Sequence, residues 1–322
     1  MSWVPIKKNI PKSNKNFIFF IILSSYLDYI IYNIYMLNNF SSQKIQNDLF
    51  ILTGNRYSIN YVNKTIKKIF KEIIQSKKKK FIISGSQGCG KTTLLKLIKN
   101  NFKIFYNINV LCISLDDYYL TKKQRNDLSK RIHSLLKTRG VPGTHATDKI
   151  IKTIKLFEKK QYPIKIPKFD KLNDDRLPYS QIITSKKSMI FLEGWCCGCL
   201  PLPKSLLQKN FNKIERNDSE YIWREYYNKK LKKEYKLIFN YFEYLIYFKI
   251  PSFDCVLKWR VKQEKRLKFT KKKNINFMNK IEIKDFISHY EKITKWMMKN
   301  TLTKSDLTIK INKNQKIQSI IT

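Results

Sequence analysis

Short apolar runs recur along the chain at intervals that leave room for helices between them. Phe81 to Ile83, Val110 to Ile113, Ser188 to Leu192, Glu243 to Lys249 and Asp306 to Ile311 are rich in β-branched or aromatic residues, as buried strands are. Within 61–75, Val62, Ile66, Ile69-Phe70 and Ile73-Ile74 fall at helical spacing, and helices are also expected near 94–98, 121–137, 147–160, 204–215, 219–240, 254–269 and 282–299. Strands alternating with helices predict an α/β fold: a doubly wound parallel sheet of about five strands with helices on both faces, in three αβα layers. Crossovers in such a sheet are right-handed, and ligands sit beyond the carboxyl ends of the strands. Segment 138–148 reads as a Gly/Pro loop, and 167–178 is a polar segment.

The apolar run Phe17 to Leu27 follows basic residues, but Asp28 breaks it before it could span a bilayer, and no small-x-small cleavage site follows. Residues 17–40 are therefore expected to form a buried or partner-facing helix and not a membrane segment. Residues 1–59 read as an N-terminal helical extension, ahead of a single α/β domain over 60–322.

Composition changes this picture in two ways. A hydrophobic content of 43% is ample for a core, while a formal net charge of +41 invites a nucleic-acid reading. Nearly all of that charge is lysine, Ile and Asn are abundant, and Ala146 is the only alanine, the profile of an AT-biased coding sequence. No specific nucleic-acid partner is expected. Scarcity also makes the rare residues informative. Of the eight glycines, all but Gly54 fall at 85/88/90, 140/143 and 194/198, where the backbone must turn tightly or approach a ligand. The few arginines stand out for the same reason. The six cysteines suggest no disulfide framework, and Cys196-x-x-Cys199 has no second ligand pair at zinc spacing, so reduced thiols and a cytoplasmic protein are expected.

The sharpest chemical signal follows the first strand. Gly85-Ser86-Gln87-Gly88-Cys89-Gly90-Lys91-Thr92-Thr93 matches G-x-x-x-x-G-K-[ST], with a strand before it and a helix after it. Its glycines let backbone N–H groups surround phosphate oxygens, and the helix N-terminus adds partial positive charge. Lys91 can reach the β- and γ-phosphates, and the Thr92 hydroxyl can ligate Mg²⁺. Asp116 and Asp117 end the second strand, where one carboxylate could accept a proton from an attacking hydroxyl or help hold Mg²⁺. Glu193 ends the third and suits a Mg²⁺ contact. Arg260 and Arg266, after the fourth, suit a segment that closes over transferring phosphates.

The blocks GSQGCGKTTL, SLDDYYLT, RGVPGTH, PKFDKLNDDR, FLEGWCCG and WRVKQEKRL, in that order over about residues 60–312, resemble the D-glycerate 3-kinase family of P-loop kinases. That group is similar to uridine kinases, phosphoribulokinase and pantothenate kinase. The resemblance implies a P-loop NTPase fold over 60–322 with a lid around 254–270, ATP and Mg²⁺ as cofactors, and transfer of the γ-phosphoryl group to D-glycerate. It implies Asp116 as base, through the D-x-[FY] of Asp116-Asp117-Tyr118, with Lys91, Glu193 and Arg260 as the other catalytic residues. Metal would lie at Thr92, Asp116 and Glu193. The acceptor would meet Asp117, Tyr118, Arg139, His145, Asp170, Lys171 and Arg176. The family's G-T-H-D reads Gly143-Thr144-His145-Ala146 here, with Asp148 two residues on. Alternatives are a kinase for another hydroxyl acceptor, a nucleic-acid-stimulated NTPase, and a pseudokinase that binds ATP without transfer. A lone Glu193 with no preceding aspartate, and no second phosphate loop, disfavour the NTPase motor.

Overall fold

The computed structural model describes residues 41–270 and 278–322, for 266–270 the backbone only. The chain divides into two compact units, 1–63 and 64–322. In the first, residues 41–53 are helical and Ile59–Val62 forms a short helix that Ser58 caps through Tyr61 N. Gln46 donates to the Tyr57 carbonyl (2.6 Å), and Ser42 donates to Asn63 Oδ1 (2.7 Å). The helix expected over 17–40 lies outside the described residues.

The second unit is built on a sheet with strands β1 (Lys80–Gly85), β2 (Val110–Ser114), β5 (Met189–Gly194), β6 (Tyr244–Lys249), β7 (Leu307–Ile311) and β8 (Ile317–Ile321). Among the described residues their spatial order is β2-β5-β1-β6-β7-β8, parallel throughout except for β8, which runs antiparallel to β7. β1 and β5 lie inside the sheet, where both faces are covered, which explains apolar runs without alternation. Period-two geometry sends Phe81 and Phe191 to one face, where their rings stack at 4.7 Å. There Phe191 meets Phe102 of helix α2 (Lys91–Tyr106), which packs edge-on against Phe70 of helix α1 (Lys68–Gln75). Ile82, Ile190 and Leu192 point to the other face, into a core shared with Ile154 of α4 (Thr147–Glu158), and with Tyr227 of α5 (Ile222–Lys230) and Tyr235. Each such fully buried large side chain contributes about 1.5–3 kcal/mol. The predicted α/β sheet with helices on both faces is the fold observed.

Several elements differ from the sequence reading. Helix α3 (Lys122–Arg131) starts at a Thr121/Gln124 capping box but stops short of 137, and Ser134–Lys137 is a separate 3₁₀ turn. The 282–299 stretch is two helices, α7 (Lys280–Ser288) and α8 (Glu291–Asn300). The larger difference lies at 167–178. No strand is expected in this polar segment, yet it is the middle of an antiparallel hairpin, β3 (Ile164–Asp170) and β4 (Asp175–Ile183). Ile164 and Ile166 are buried and Lys165 is exposed between them. That alternation marks a strand, and the many polar residues of the turn hid it. No helix among the described residues is long and apolar enough to cross a membrane.

Candidate active site

The carboxyl ends of β1, β2 and β5 open into a cleft of about 740 Å³, part of it continuous with solvent. Its floor is the 85–92 loop. Gly85 and Gly88 have left-handed φ values of 142° and 77°. A β-carbon on Gly85 would lie 2.7 Å from Phe248 Cβ, and one on Gly88 would lie 2.9 Å from Trp259 Cβ, so only glycine fits either place. Trp259 belongs to helix α6 (Asp254–Thr270), the segment expected to act as lid, which packs directly on the loop. Gln315 also grips the loop, donating to the Gly88 carbonyl at 2.6 Å. Lys91 opens α2, is only 8% exposed, and donates to the Ser86 carbonyl at 2.9 Å. Burial alone would depress its pKa, but the Cys89, Glu193 and Asp116 side chains more than offset that, so the ammonium is held charged. The Ser86 hydroxyl is buried with no hydrogen-bond partner. An anion cradle with an idle donor fits a nucleotide's phosphates.

Beside Lys91, one oxygen of Glu193 accepts from Thr92 Oγ1 (3.1 Å) and from Ser114 Oγ (2.7 Å). This set of a carboxylate and two hydroxyls is the all-oxygen environment a hard Mg²⁺ takes, and Thr92 and Glu193 are the residues that would hold it. Of the other expected nucleotide-loop residues, Gln87 lines the cleft, Cys89 is buried under the loop, Gly90 caps α2, and Thr93 follows in the first helical turn.

Asp116 sits in a 3₁₀ turn after β2, Leu115–Tyr118. Its Oδ1 accepts from Tyr119 Oη (3.0 Å) and its Oδ2 from Lys171 Nζ (2.5 Å). Burial pushes the carboxyl up, yet the Lys171 ammonium, aided by Lys91, outweighs it and holds Asp116 well below the usual carboxylate range. The turn breaks strict alternation, so Asp117 points away and pairs with Lys168 (2.8 Å). It also swaps the tyrosines. Tyr118 is fully buried and donates to Thr153, whereas Tyr119, not singled out from sequence, lines the cleft.

Three more expected acceptor residues lie off the cleft wall. Arg176 donates to the Tyr119 carbonyl (2.6 Å), and Asp170 caps the β3–β4 turn by accepting from Leu172 N and Asn173. His145 is buried one layer back, stacked on Tyr119 at 4.4 Å with Nδ1 against Tyr235 Oη. Ala146 leaves α4 without a side-chain cap, and Asp148 supplies the acid of its first turn. Burial drives His145 from its ordinary 6.5 down to about 3, against the pull of Asp116. The unfolded chain therefore takes up a proton between those values that the folded protein refuses. Stability should fall by about 1.4 kcal/mol per unit as pH drops from about 6 toward 4. His145→Gln is expected to flatten that slope, as read by urea unfolding at each pH.

Arg139, Lys171, Glu193 and Arg260 face the same cleft as Lys91 and Asp116. Arg139 is carried by a loop that Trp195 Nε1 fixes through the Gly140 carbonyl (3.0 Å) and Tyr290 Oη through the Arg139 carbonyl (2.8 Å). Arg260 pairs with Glu264 (2.9 Å) one turn along α6, while the side chain of Arg266 is outside the described residues. Trp195, Gln263 and Phe286 also line the cleft, though nothing in the sequence pattern set them apart. Cys196, Cys197 and Cys199 are buried free thiols, and no cluster of three or more metal-ligating side chains occurs among the described residues.

No family model matches the chain. Over 220 residues it is 28% identical to an uncharacterized kinase, mug58, of Schizosaccharomyces pombe, covering 65% of this chain and 76% of that one. Among solved structures it is similar to the YGR205w protein, with 25% identity and a TM-score of 0.60, over 82% of this chain and 95% of the other. It is also similar to D-glycerate 3-kinase from Cryptococcus neoformans var. grubii, with 19% identity and a TM-score of 0.66, over 81% and 98%. The chain has the fold of a glycerate-kinase-like P-loop kinase.

Proposed function

We propose that this P-loop kinase transfers the γ-phosphoryl group of ATP to a hydroxyl of a small carboxylated alcohol, D-glycerate foremost. The observation that carries the reading is the convergence on one cleft of Lys91, a hydrogen-bonded Asp116 and a guanidinium, Arg139. Lys91 and the loop amides would hold the phosphates. Bound Mg²⁺, held through Thr92 and Glu193, would neutralise charge on the β- and γ-oxygens. The acceptor oxygen attacks the γ-phosphorus, the bond to the β–γ bridging oxygen breaks, ADP leaves, and the hydroxyl proton passes to Asp116. Transfer of this kind has a loose transition state, so positioning and charge stabilisation carry most of the catalysis and a weak base suffices. Arg260 on α6 would close over the phosphates and exclude water. Arg139 favours a carboxylate because guanidinium binds it bidentately. Among the expected arginines, Arg176 is spent on the Tyr119 carbonyl.

The test is ADP release with D-glycerate, uridine, ribulose 5-phosphate or pantothenate as acceptor. Turnover with D-glycerate well above the no-acceptor blank is expected. Turnover with another acceptor and none with D-glycerate would remove the substrate assignment.

A further inference from the structure

The β3–β4 turn carries a carboxylate that this reaction leaves unused. Asp174 has left-handed backbone (φ 53°), and its two oxygens engage two arginines: Oδ1 pairs with Arg139 Nη1, and Oδ2 with Arg125 Nη2 at 2.9 Å. The arginines are not equivalent. Arg125 is 1% exposed and donates to the carbonyls of Leu120 (3.3 Å), Lys137 (2.8 Å) and Asp174 (2.5 Å), so its position is fixed by backbone. Arg139 stands on the cleft wall, between the rings of Phe169 and Phe286 at 5.5 and 5.6 Å. Beyond Asp174, it has a long contact to the Lys171 carbonyl at 3.4 Å. One guanidinium anchors the turn; the other faces the space where a ligand would lie.

We propose that Asp174 is a specificity-determining residue, an internal stand-in for the acceptor's carboxylate that occupies Arg139 until a carboxylated acceptor displaces it. The inference rests on the reading that the acceptor carries a carboxylate. Asp174 keeps Arg139 from standing as an uncompensated, partly buried cation in the free enzyme. After the exchange Asp174 remains paired with Arg125, so neither carboxylate is left alone. An uncharged acceptor cannot make that exchange and gains nothing from Arg139, which is discrimination by competition. The same competition weakens binding of the correct acceptor, because only the fraction of molecules with Arg139 released binds it.

Asp174→Asn preserves size, tolerates the left-handed backbone and retains its one oxygen for Arg125, but presents to Arg139 an amide nitrogen, a donor that cannot hold a guanidinium. It is expected to lower KM for D-glycerate by about 5–10-fold, with kcat and the KM for ATP within about twofold of wild type. Arg139→Gln should raise KM for D-glycerate by about 100-fold. In that background Asp174→Asn should change nothing further, since the competitor has nothing left to hold. If Asp174→Asn lowers the thermal midpoint, Asp174→Gly, which suits the left-handed backbone better still, carries the same expectation. An unchanged or raised KM at the wild-type midpoint, or the same fall in the Arg139→Gln background, would overturn the inference while D-glycerate kinase activity stands. A wild-type enzyme that turns over only uncharged acceptors overturns the carboxylate reading and this inference with it.

Discussion

Asp116→Asn is expected to lower kcat by about 10²–10⁴-fold, measured as ADP release at saturating acceptor, while the KM for ATP stays within about threefold. The substitution keeps the shape of the side chain and takes away its charge and its capacity to accept a proton. It also disturbs a matched pair of donors. Tyr119 and Lys171 each give a hydrogen bond to one carboxylate oxygen, and an amide offers only one oxygen to the two of them. The pH profile distinguishes this base from an ordinary carboxylate. Lys171 and Lys91 hold Asp116 below its usual range in spite of burial, so the ionised form persists as pH falls, and kcat should show no loss attributable to this group until pH drops below that range. Lys171→Met removes the first of those cations and should bring the acid limb up toward ordinary carboxylate values. A variant Asp116→Asn that keeps more than about a tenth of wild-type kcat would remove Asp116 from the role of base.

The place of Asp116 at the cleft was legible in the sequence, and its setting was not. The phosphate loop could be read because its chemistry is carried by contiguous residues: backbone amides, a lysine and a threonine need fixed spacing along one strand–loop–helix. The cleft positions of Asp116 and Glu193 could be read because an acid that ends an apolar strand run lies at the carboxyl edge of a parallel sheet. The acceptor side is assembled from several distant segments, and sequence order says little about which side chain on each turns inward. Tyr118 and Tyr119 make the point. Extended-chain alternation fails across the 3₁₀ turn at Leu115–Tyr118, so the second tyrosine and not the first reaches the carboxylate. His145 was found with its block but lies behind Tyr119, where it supports that ring through stacking. The β3–β4 hairpin escaped because its turn carries five charged residues within 170–176, and these mask the Ile164/Ile166 alternation at its base. Those charges are what bring Lys171 to Asp116 and Asp174 to Arg139.

Lys91→Ala should reduce kcat/KM for ATP by at least about 10³-fold and abolish the thermal stabilisation that ATP confers on the wild-type protein. Lys91 is almost wholly buried at the start of α2, with its ammonium against the Ser86 carbonyl and close to the carboxylates of Glu193 and Asp116. The neighbouring carboxylates keep this ammonium charged in spite of burial, while its hydrogen-bond partner in the free protein is only a carbonyl. Its position pays off only when negative charge arrives on the loop. In wild type, ATP with Mg²⁺ at about 100 times its Kd should stabilise the fold by about 2.7 kcal/mol. In Lys91→Ala the cation that the loop itself supplies is gone while Glu193 stays beside it, so the phosphates lose their charge partner on the loop and the shift should vanish. Retention of the ATP-induced rise in thermal midpoint, together with wild-type turnover, would show that the nucleotide's phosphates lie elsewhere and that the 85–92 loop serves only to join β1 to α2.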